Sequence, residues 1–330
     1  MRHLVMRHLE ARQFLMRHWF VAAWLWMAAS STVVAQFDGA GATKGAQLGE
    51  SFTQNYRVGV VVSAKSGPCK GIVATVPVPI AWPEQQVEIL DEEQSNHVRR
   101  VRYRMVGGTV RQLLVEIPQL PAGAEARAIV TLKITRRTQL PPKDNRIFVI
   151  PKRLPRDVSI YLSDSPYIES RNKKIRSLAK RIVADKEHAW DQVEAIYDWV
   201  RENVEYKNGP LKGALAALRD GNGDCEELSS LFIALCRANK IPARTVWVPG
   251  HCYPEFYLTD DENKGHWIPC QAAGDRSFGG IHEKRPILQK GDNFRVPERP
   301  RDRQRYVAEF LTGKGGKPSV TFIREMVDDK

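Results

Sequence analysis

The fold is decided by the stretch GNGDCEELSSLFIALCRANKIPARTVWV, which occupies residues 221–248. Its opening Gly-Asn-Gly interrupts any preceding helix, and Asp224 can then cap a new one, with Glu227 three residues later completing a capping box. Apolar residues follow at helical spacing and form one buried face: Leu228, Leu231, Phe232 and Leu235. The pattern predicts a helix whose first residue is Cys225.

A thiol at the first position of a buried helix has a chemical use. The free amide N–H groups and the helix dipole stabilise its thiolate, and the same amides stabilise an oxyanion formed during acyl transfer. Asp224 and Glu226 oppose this effect because they add negative charge beside Cys225. A lone cysteine at a helix start is more often structural, so a nucleophile here requires a nearby base.

The following segments offer that base. Residues 241–248 have the pattern of a strand, and residues 249–258 form a second strand that contains His251. Residues 266–271 form a returning strand that ends in Gln271. The order suits a cysteine nucleophile, a histidine base and a third polar group that orients the base.

Residues 223–246, together with AIYDWVRENVEY at residues 195–206, resemble the core of the transglutaminase-like superfamily. The resemblance implies a papain-like fold with a triad of Cys, His and Asp or Asn. It places the nucleophile on Cys225 and the base on His251, and it matches Glu255 to an acidic position that the family usually has just after the histidine.

The third position of the triad departs from that family. Where the family usually has Trp-x-Pro-x-Asp, this chain has Trp267-Ile-Pro-Cys-Gln271. A glutamine carbonyl can orient the imidazole by accepting from Nδ1–H, but it carries no charge, so we expect slower catalysis in an intact geometry. Cysteine tolerates this loss better than serine because a thiol needs less activation. Asp275 and Glu255 are alternative third residues.

The same hairpin suggests a disulfide. If His251 faces Gln271 across antiparallel strands, Cys252 faces Cys270 on the opposite side of the sheet. One alternative is a cross-strand disulfide Cys252–Cys270. The other, slightly favoured, is two buried free thiols, because directly opposed strand positions strain a disulfide. Of the remaining cysteines, Cys69 and Cys236 are expected to be inert core thiols.

The remainder of the chain divides into further regions. Short β-branched runs between Gly and Pro turns predict an antiparallel β-sandwich at residues 52–163, preceded by a Gly/Ala-rich linker at residues 36–51. Residues 164–285 are predicted to be the papain-like transglutaminase core, with helices packed on an antiparallel sheet. The predicted fold class is therefore α+β.

The C-terminal residues 286–330 are predicted to be an extension that wraps the core. Within it, residues 306–311 suggest a short helix and residues 320–326 a strand.

The N-terminus predicts export. Residues 1–35 combine four arginines with an uncharged apolar segment from Phe20 to Ala35, and small residues precede a cut at Gln36, as in a signal peptide. An uncleaved anchor is the alternative, although sixteen uncharged residues fall short of the ~20 that a spanning helix needs. Cleavage lowers the formal net charge from +12 to +9 and leaves all five cysteines in an exported, oxidising compartment.

Two functions remain open at this point. The chain, 330 residues long and 42% hydrophobic, has the composition of a globular protein. One function is a secreted cysteine peptidase or amidase that attacks peptide or protein amides through a thioester, which water or an amine resolves. The other is a catalytically impaired scaffold that binds peptide, with Gln271 marking the lost activity. We expect no cofactor, no metal, no nucleic-acid partner and no stable membrane insertion after cleavage.

Overall fold

The computed structural model describes residues 44–327. The predicted signal peptide and the first part of the predicted linker lie outside the described residues. The last five residues of that linker, 47–51, belong to a strand, because the first strand already begins at Gln47. Across residues 44–327, every helix is too short or too polar to span a membrane.

The described chain begins with six strands: β1 (Gln47–Ser63), β2 (Cys69–Val78), β3 (Gln85–Gln94), β4 (Arg100–Val106), β5 (Val110–Leu120) and β6 (Glu125–Leu140). The helices follow: α1 (Arg156–Ser159), which a 3₁₀ turn (Ile160–Leu162) extends, α2 (Lys173–Ile182), α3 (Ala189–Asn203), α4 (Ala214–Asp220) and α5 (Cys225–Ala238). The other strands are β7 (Glu205–Tyr206), β8 (Asn222–Gly223), β9 (Ala243–Val248), β10 (His251–Thr259), β11 (Gly265–Gln271), β12 (Ser277–Phe278), β13 (Gln289–Lys290), β14 (Phe294–Arg295), β15 (Arg303–Gln304), β16 (Phe310–Gly315) and β17 (Ser319–Val327).

Eight strands form a β domain of two four-stranded antiparallel sheets, ordered β17-β1-β6-β3 and β16-β2-β5-β4. The inner faces of both sheets share one hydrophobic core. Alternate residues of β1 enter it, and Val58, Val60 and Val62 are fully buried there. This alternation is what a strand with one buried face requires. The predicted α+β class, with an antiparallel β region before a helix-on-sheet core, is confirmed.

The C-terminal residues 286–330, predicted to wrap the core, contain two strands that join the β domain. Strand β17 pairs with β1 and β16 pairs with β2, so the segment completes the β domain as well as passing the core. Residues 306–311 are not helical, and the last two of them begin β16. Residues 141–163, predicted as part of the sandwich, hold α1 and the 3₁₀ turn. Sequence periodicity identifies a strand but not the distant open sheet edge that it joins.

The helix-on-sheet core is built around α5. Its five-stranded antiparallel sheet has the order β12-β11-β10-β9-β13, and α2, α3, α4 and α5 contribute to the same hydrophobic core. Eleven residues of α5 are buried, including Arg237 near its end. A helix that is buried on all sides packs against other elements on every side. The sequence predicted a single apolar face, so α5 is more buried, and held more rigidly, than expected.

The N-terminus of α5 has the predicted capping box. The Asp224 carboxylate accepts from the Glu226 N–H at 2.8 Å, and the Glu227 carboxylate accepts from the Asp224 N–H at 3.2 Å. A Cβ on Gly223 would lie 2.3 Å from the Glu227 Cβ, so only glycine allows this close approach. The cap therefore fixes Cys225 as the first helical residue.

The register of the β10–β11 hairpin differs from the predicted one. Glu255 lies opposite Pro269, a shift of two residues from the register that would place Cys252 opposite Cys270. Instead, Cys252 pairs with Trp247 of β9 and Cys270 with Phe278 of β12, and both thiols are free. The prediction that these two cysteines face each other is wrong. Of the two alternatives for their thiols, the structure has the slightly favoured one, two buried free thiols, and not the disulfide.

The turn of this hairpin explains the register. The Asp260 carboxylate accepts from the backbone N–H groups of Glu262 at 3.0 Å and Lys264 at 2.9 Å. The Asp260 N–H also donates to the Lys264 carbonyl at 3.0 Å. These bonds close the turn so that Thr259 lies opposite Gly265, and the turn geometry then sets every later pair.

Candidate active site

The structure brings the three predicted site residues together. Cys225 begins α5, His251 begins β10 and Gln271 ends β11. The Cys225 thiol and the His251 imidazole are joined by a hydrogen bond. On the other side of the ring, the Gln271 amide oxygen lies 3.4 Å and its nitrogen 3.1 Å from His251 Nε2.

The imidazole orientation corrects one detail of the prediction. Gln271 faces Nε2 of His251 rather than Nδ1, which leaves Nδ1 for Cys225. An imidazolium carries an N–H on both ring nitrogens, so the Gln271 amide oxygen is the group that can accept from Nε2–H. The amide can thus orient the ring, but it supplies no negative charge.

Helix α3 fixes the backbone of Gln271. The Tyr197 hydroxyl donates to the Gln271 carbonyl at 2.9 Å, and the Arg201 guanidinium donates to the same carbonyl at 3.1 Å. Because both donors come from one helix, whose apolar face is buried in the core, the end of β11 is held against the core and the amide is presented to the imidazole.

Glu255, one of the alternative third residues, is engaged elsewhere. Its buried carboxylate pairs with Arg244 at 2.5 Å and with Lys290 at 2.8 Å. Lys290 also pairs at 2.7 Å with Glu84, a residue that lies just before β3 of the β domain. Glu255 therefore ties the histidine strand to neighbouring elements and does not contact the imidazole.

Asp275, the other alternative, is exposed, and within residues 44–327 it has no hydrogen bond to His251. Gln271 is therefore the group at the far nitrogen of the imidazole.

A third side chain at the nucleophile is Cys252. A hydrogen bond from its thiol is the main factor that lowers the pKa of Cys225 to about 4. Burial opposes this decrease, whereas the His251 hydrogen bond, the Cys252 backbone N–H and the charge of His251 support it. The same thiol bond, followed by burial, raises the pKa of Cys252 well above its ordinary value, so Cys252 stays protonated.

The pKa of His251 is raised. Burial lowers it, but the hydrogen bond with Cys225 and the charge of that thiolate raise it by more, with a further contribution from the Gln271 bond. A lowered pKa on Cys225 and a raised pKa on His251 favour a thiolate–imidazolium pair at neutral pH, the reactive form of a cysteine nucleophile.

The start of α5 presents a free backbone N–H next to the thiol. The Cys225 N–H has no acceptor among the described residues, because the Asp224 carboxylate accepts from Glu226 instead. The two-residue parallel pairing of β7 with β8 places Tyr206 beside this helix start. Tyr206 is 52% exposed, and its hydroxyl donates to Asn208 at 3.1 Å.

These side chains line a cleft of about 640 Å³. Tyr56 from β1 and Arg324 from β17 form one wall, so the β domain contributes to the site. The segment before β16 contributes Arg305, which pairs with Glu226 and lies 5.1 Å from the ring centre of Trp247. Burial raises the pKa of Glu226 to about 7.

The sequence predicted Cys225, His251 and Gln271 as site residues, but not Cys252, Tyr206 or the residues of the cleft wall. Tyr206 lies inside the quoted segment 195–206, which was the available signal for it. Cys252 was adjacent to His251 in sequence, but the alternation of side chains along a strand assigned it to the opposite side of the sheet. Within residues 44–327, no group of three or more His, Cys, Asp or Glu converges as metal ligands would.

Comparison with known proteins agrees with this geometry. Residues 176–272 match the sequence profile of the transglutaminase-like superfamily. An uncharacterised protein of Haemophilus influenzae is 28% identical over 191 residues, which cover 46% of this chain and 47% of that protein. The chain thus spans about half the length of this curated relative.

A solved structure is similar over most of the chain. The crystal structure of a proposed cysteine protease from Cytophaga hutchinsonii is 20% identical, with a TM-score of 0.55 over 86% of this chain and 94% of that one. At this identity the likeness establishes the fold, and its coverage includes the β domain. This chain contains a transglutaminase-like domain, and Cys225, His251 and Gln271 all lie inside the matched range.

Proposed function

We propose that the protein is an exported cysteine peptidase or amidase that cleaves peptide or protein amides through a thioester. The observation that carries this proposal is the contact between the Cys225 thiol, at a helix N-terminus, and the His251 imidazole in an open cleft. A lowered pKa on Cys225 supports it, because the thiolate is the nucleophilic form.

The chemistry follows from the positions of these groups. The Cys225 thiolate attacks the carbonyl carbon of a bound amide, and the Cys225 N–H stabilises the resulting oxyanion. The His251 imidazolium gives its Nδ1 proton to the leaving amine, which yields a thioester. The neutral imidazole then takes a proton from water, which attacks the thioester and releases the acid. An amine in place of water would give transamidation.

Peptide or protein amides are the proposed substrates because the site is an open cleft with a wall from a second domain. Tyr56, Arg324 and Arg305 contribute apolar and charged surface to the lining of the cleft. Such a surface suits an extended chain more than a small molecule, which is usually enclosed in an apolar pocket. Export is proposed from the residue pattern of positions 1–35.

The test measures nucleophilic acyl transfer without knowledge of the substrate. Purified protein is mixed with p-nitrophenyl acetate, and we expect a burst of nitrophenolate close to one equivalent, with the acetyl group on Cys225 by peptide mass spectrometry. A Cys225→Ala variant removes the burst, and a His251→Ala variant slows it strongly. Cys69→Ala, in the β domain, is the matched control and keeps it.

A second candidate function is a peptide-binding scaffold, which the uncharged Gln271 amide favours. Iodoacetamide labelling of Cys225 against pH separates the two functions. Labelling well below pH 8, lost in His251→Ala, supports the enzyme. Labelling only above about pH 8, as for an unperturbed thiol, together with no burst, contradicts the enzyme and leaves the scaffold.

A further inference from the structure

Two cysteines from different elements meet at the cleft. Cys225 is half-buried and lines the cleft, whereas Cys252 is only 1% exposed and is not part of the cleft lining. The thiol and the backbone N–H of Cys252 both donate to Cys225. The second thiol is not a reacting group in the thioester chemistry proposed above, because His251 already serves as the acid and base.

An independent contact locates the Cys252 sulfur. Its Sγ lies 3.9 Å from Ser229 Oγ. Ser229 is four residues after Cys225, so the two side chains share one face of α5, one turn apart. The Cys252 thiol therefore lies against the N-terminal half of α5, on the helix face that carries Cys225. The three remaining cysteines are buried in other places, and none has a hydrogen bond to Cys225 among the described residues.

We propose that Cys225 and Cys252 form a reversible oxidation site, in which a peroxide oxidises Cys225 and Cys252 resolves the product as a disulfide. A partly exposed, ionised thiol next to a second thiol is the arrangement that favours this chemistry. The peroxide enters from the cleft and meets Cys225 first, because Cys252 is covered. The inference rests on the reactive Cys225 of the proposed function.

The first step forms a sulfenic acid. The Cys225 thiolate attacks one oxygen of hydrogen peroxide, an S–O bond forms and the O–O bond breaks. The second oxygen leaves as hydroxide, and the neighbouring His251 imidazolium protonates it to water. The sulfur of Cys225 has then lost two electrons to the peroxide.

The second step forms the disulfide. The sulfur of Cys252 attacks the sulfur of Cys225, the S–O bond breaks, and the oxygen leaves with the Cys252 proton as a second water. Two thiols have then been oxidised by two electrons and one peroxide has been reduced to two waters. The thiolate that keeps Cys252 protonated is gone after the first step, so Cys252 becomes easier to deprotonate. A dithiol reductant reverses the disulfide.

The consequence for the enzyme is a reversible inactive state. Oxidation beyond the sulfenic acid to sulfinic or sulfonic acid destroys a thiol, whereas the disulfide keeps it recoverable. In an exported protein, which is exposed to oxidants, Cys252 would protect the nucleophile from permanent loss.

The experiment uses the full chain and mass spectrometry. Reduced protein is treated with a small excess of hydrogen peroxide, unfolded in urea with iodoacetamide to block every free thiol, and digested with trypsin without reduction. Cleavage after Arg and Lys separates Cys225 in residues 220–237, Cys252 in residues 245–264 and Cys270 in residues 265–276. We expect the first two peptides to be linked, with Cys236 alkylated and the link localised to Cys225 by fragment ions.

Variants test the role of Cys252. In Cys252→Ala, the peroxide should take Cys225 to sulfinic acid, and a dithiol reductant should no longer restore its iodoacetamide labelling. Cys270→Ala is the matched control, since it also removes one buried strand cysteine, and it should keep both the link and the recovery. Far-UV circular dichroism and the melting temperature confirm that each variant is folded.

The outcomes separate this proposal from the proposed function. If Cys225 shows the acyl burst but peroxide gives equal irreversible loss in wild type and Cys252→Ala, with no linked peptide, the oxidation site is wrong and the enzyme stands. A link between Cys252 and Cys270 overturns it as well. If the linked peptide forms but there is no burst and no labelling below pH 8, the enzyme fails and the thiol pair remains.

Discussion

Helix α5 carries a cysteine near each end, and each lies close to a cysteine of the sheet. Cys225 at its start meets Cys252 of β10 at the cleft. Cys236 near its end lies near Cys270 of β11 inside the hydrophobic core, close enough for a charge on one to raise the pKa of the other. The two pairs thus join the same helix to the same sheet.

Their chemistry is opposite. The pKa of Cys225 is lowered to about 4, whereas burial raises the pKa of both Cys236 and Cys270 well above the ordinary value. At the cleft a thiolate finds hydrogen-bond donors from Cys252 and His251 and the helix N-terminus. In the core a thiolate would have only apolar neighbours and the distant charges of Arg237 and Arg201. Two neighbouring thiols do not by themselves form a reactive site. A reactive site also needs hydrogen-bond donors that stabilise the thiolate.

The largest expected effect is the loss of the nucleophile. Cys225→Ala should reduce the nitrophenyl acetate burst and any peptide hydrolysis by at least about a thousandfold, because no other group can form the acyl intermediate. Cys236→Ala removes a thiol of the same helix and should keep the burst. Steady-state and burst kinetics check both. If Cys225→Ala keeps the burst, the nucleophile is elsewhere.

The second effect is the loss of the base. His251→Ala should raise the pKa of Cys225, because the imidazole hydrogen bond and charge no longer stabilise the thiolate. Labelling by iodoacetamide at pH 6 should decrease, and acyl transfer should decrease by roughly a hundredfold or more, the usual contribution of a general acid or base. Unchanged labelling between pH 5 and pH 9 would show that His251 does not act on Cys225.

The third effect compares the two sheet cysteines directly. Cys252→Ala should move the labelling midpoint of Cys225 from about pH 4 to higher pH, because the strongest stabilising bond is lost. One unit of pKa corresponds to roughly tenfold less thiolate below the midpoint. Cys252→Ser keeps an O–H donor and should restore much of the shift, whereas Cys270→Ala should leave the midpoint in place. Equal midpoints in Cys252→Ala and Cys270→Ala would refute this assignment.

Local signals in the sequence predicted the centre of the fold well. The capping box of Asp224 and Glu227, the start of α5 at Cys225 and the strands of His251 and Gln271 are all in place, because each depends on a few adjacent residues. What failed was non-local. The destination of β17 depends on an open sheet edge about 260 residues away along the chain, and no periodicity encodes such a pairing.

The site shows the same division. Cys225 and His251 were identified from their local context, but the predicted pairing of Cys252 with Cys270 failed because the register is shifted by two residues. That shift is set by the backbone bonds of Asp260 inside the turn. The cleft wall formed by Tyr56 and Arg324 was also beyond reach, since it requires two strands from opposite ends of the chain to meet at the nucleophile.

The smallest effect concerns the group behind the imidazole. Gln271→Asp places a carboxylate at His251 Nε2, where the amide now lies 3.1–3.4 Å away. A negative charge favours the imidazolium, so the pKa of His251 should increase further, and the alkaline limb of the acyl-transfer profile should move to higher pH by about one unit. Turnover at neutral pH should be preserved or raised, because the cation that forms during catalysis is stabilised.

Two further variants of Gln271 and the neighbouring Cys270 provide the controls for the Gln271→Asp prediction. Gln271→Glu keeps the side-chain length and should give the same direction of shift, whereas Gln271→Ala removes the orienting group and should lower turnover. Cys270, the residue before Gln271, is buried among apolar groups, and its failure to react with iodoacetamide should be unchanged in every variant. A collapse of turnover in both Gln271→Asp and Gln271→Glu, with folding intact, would show that another group orients His251.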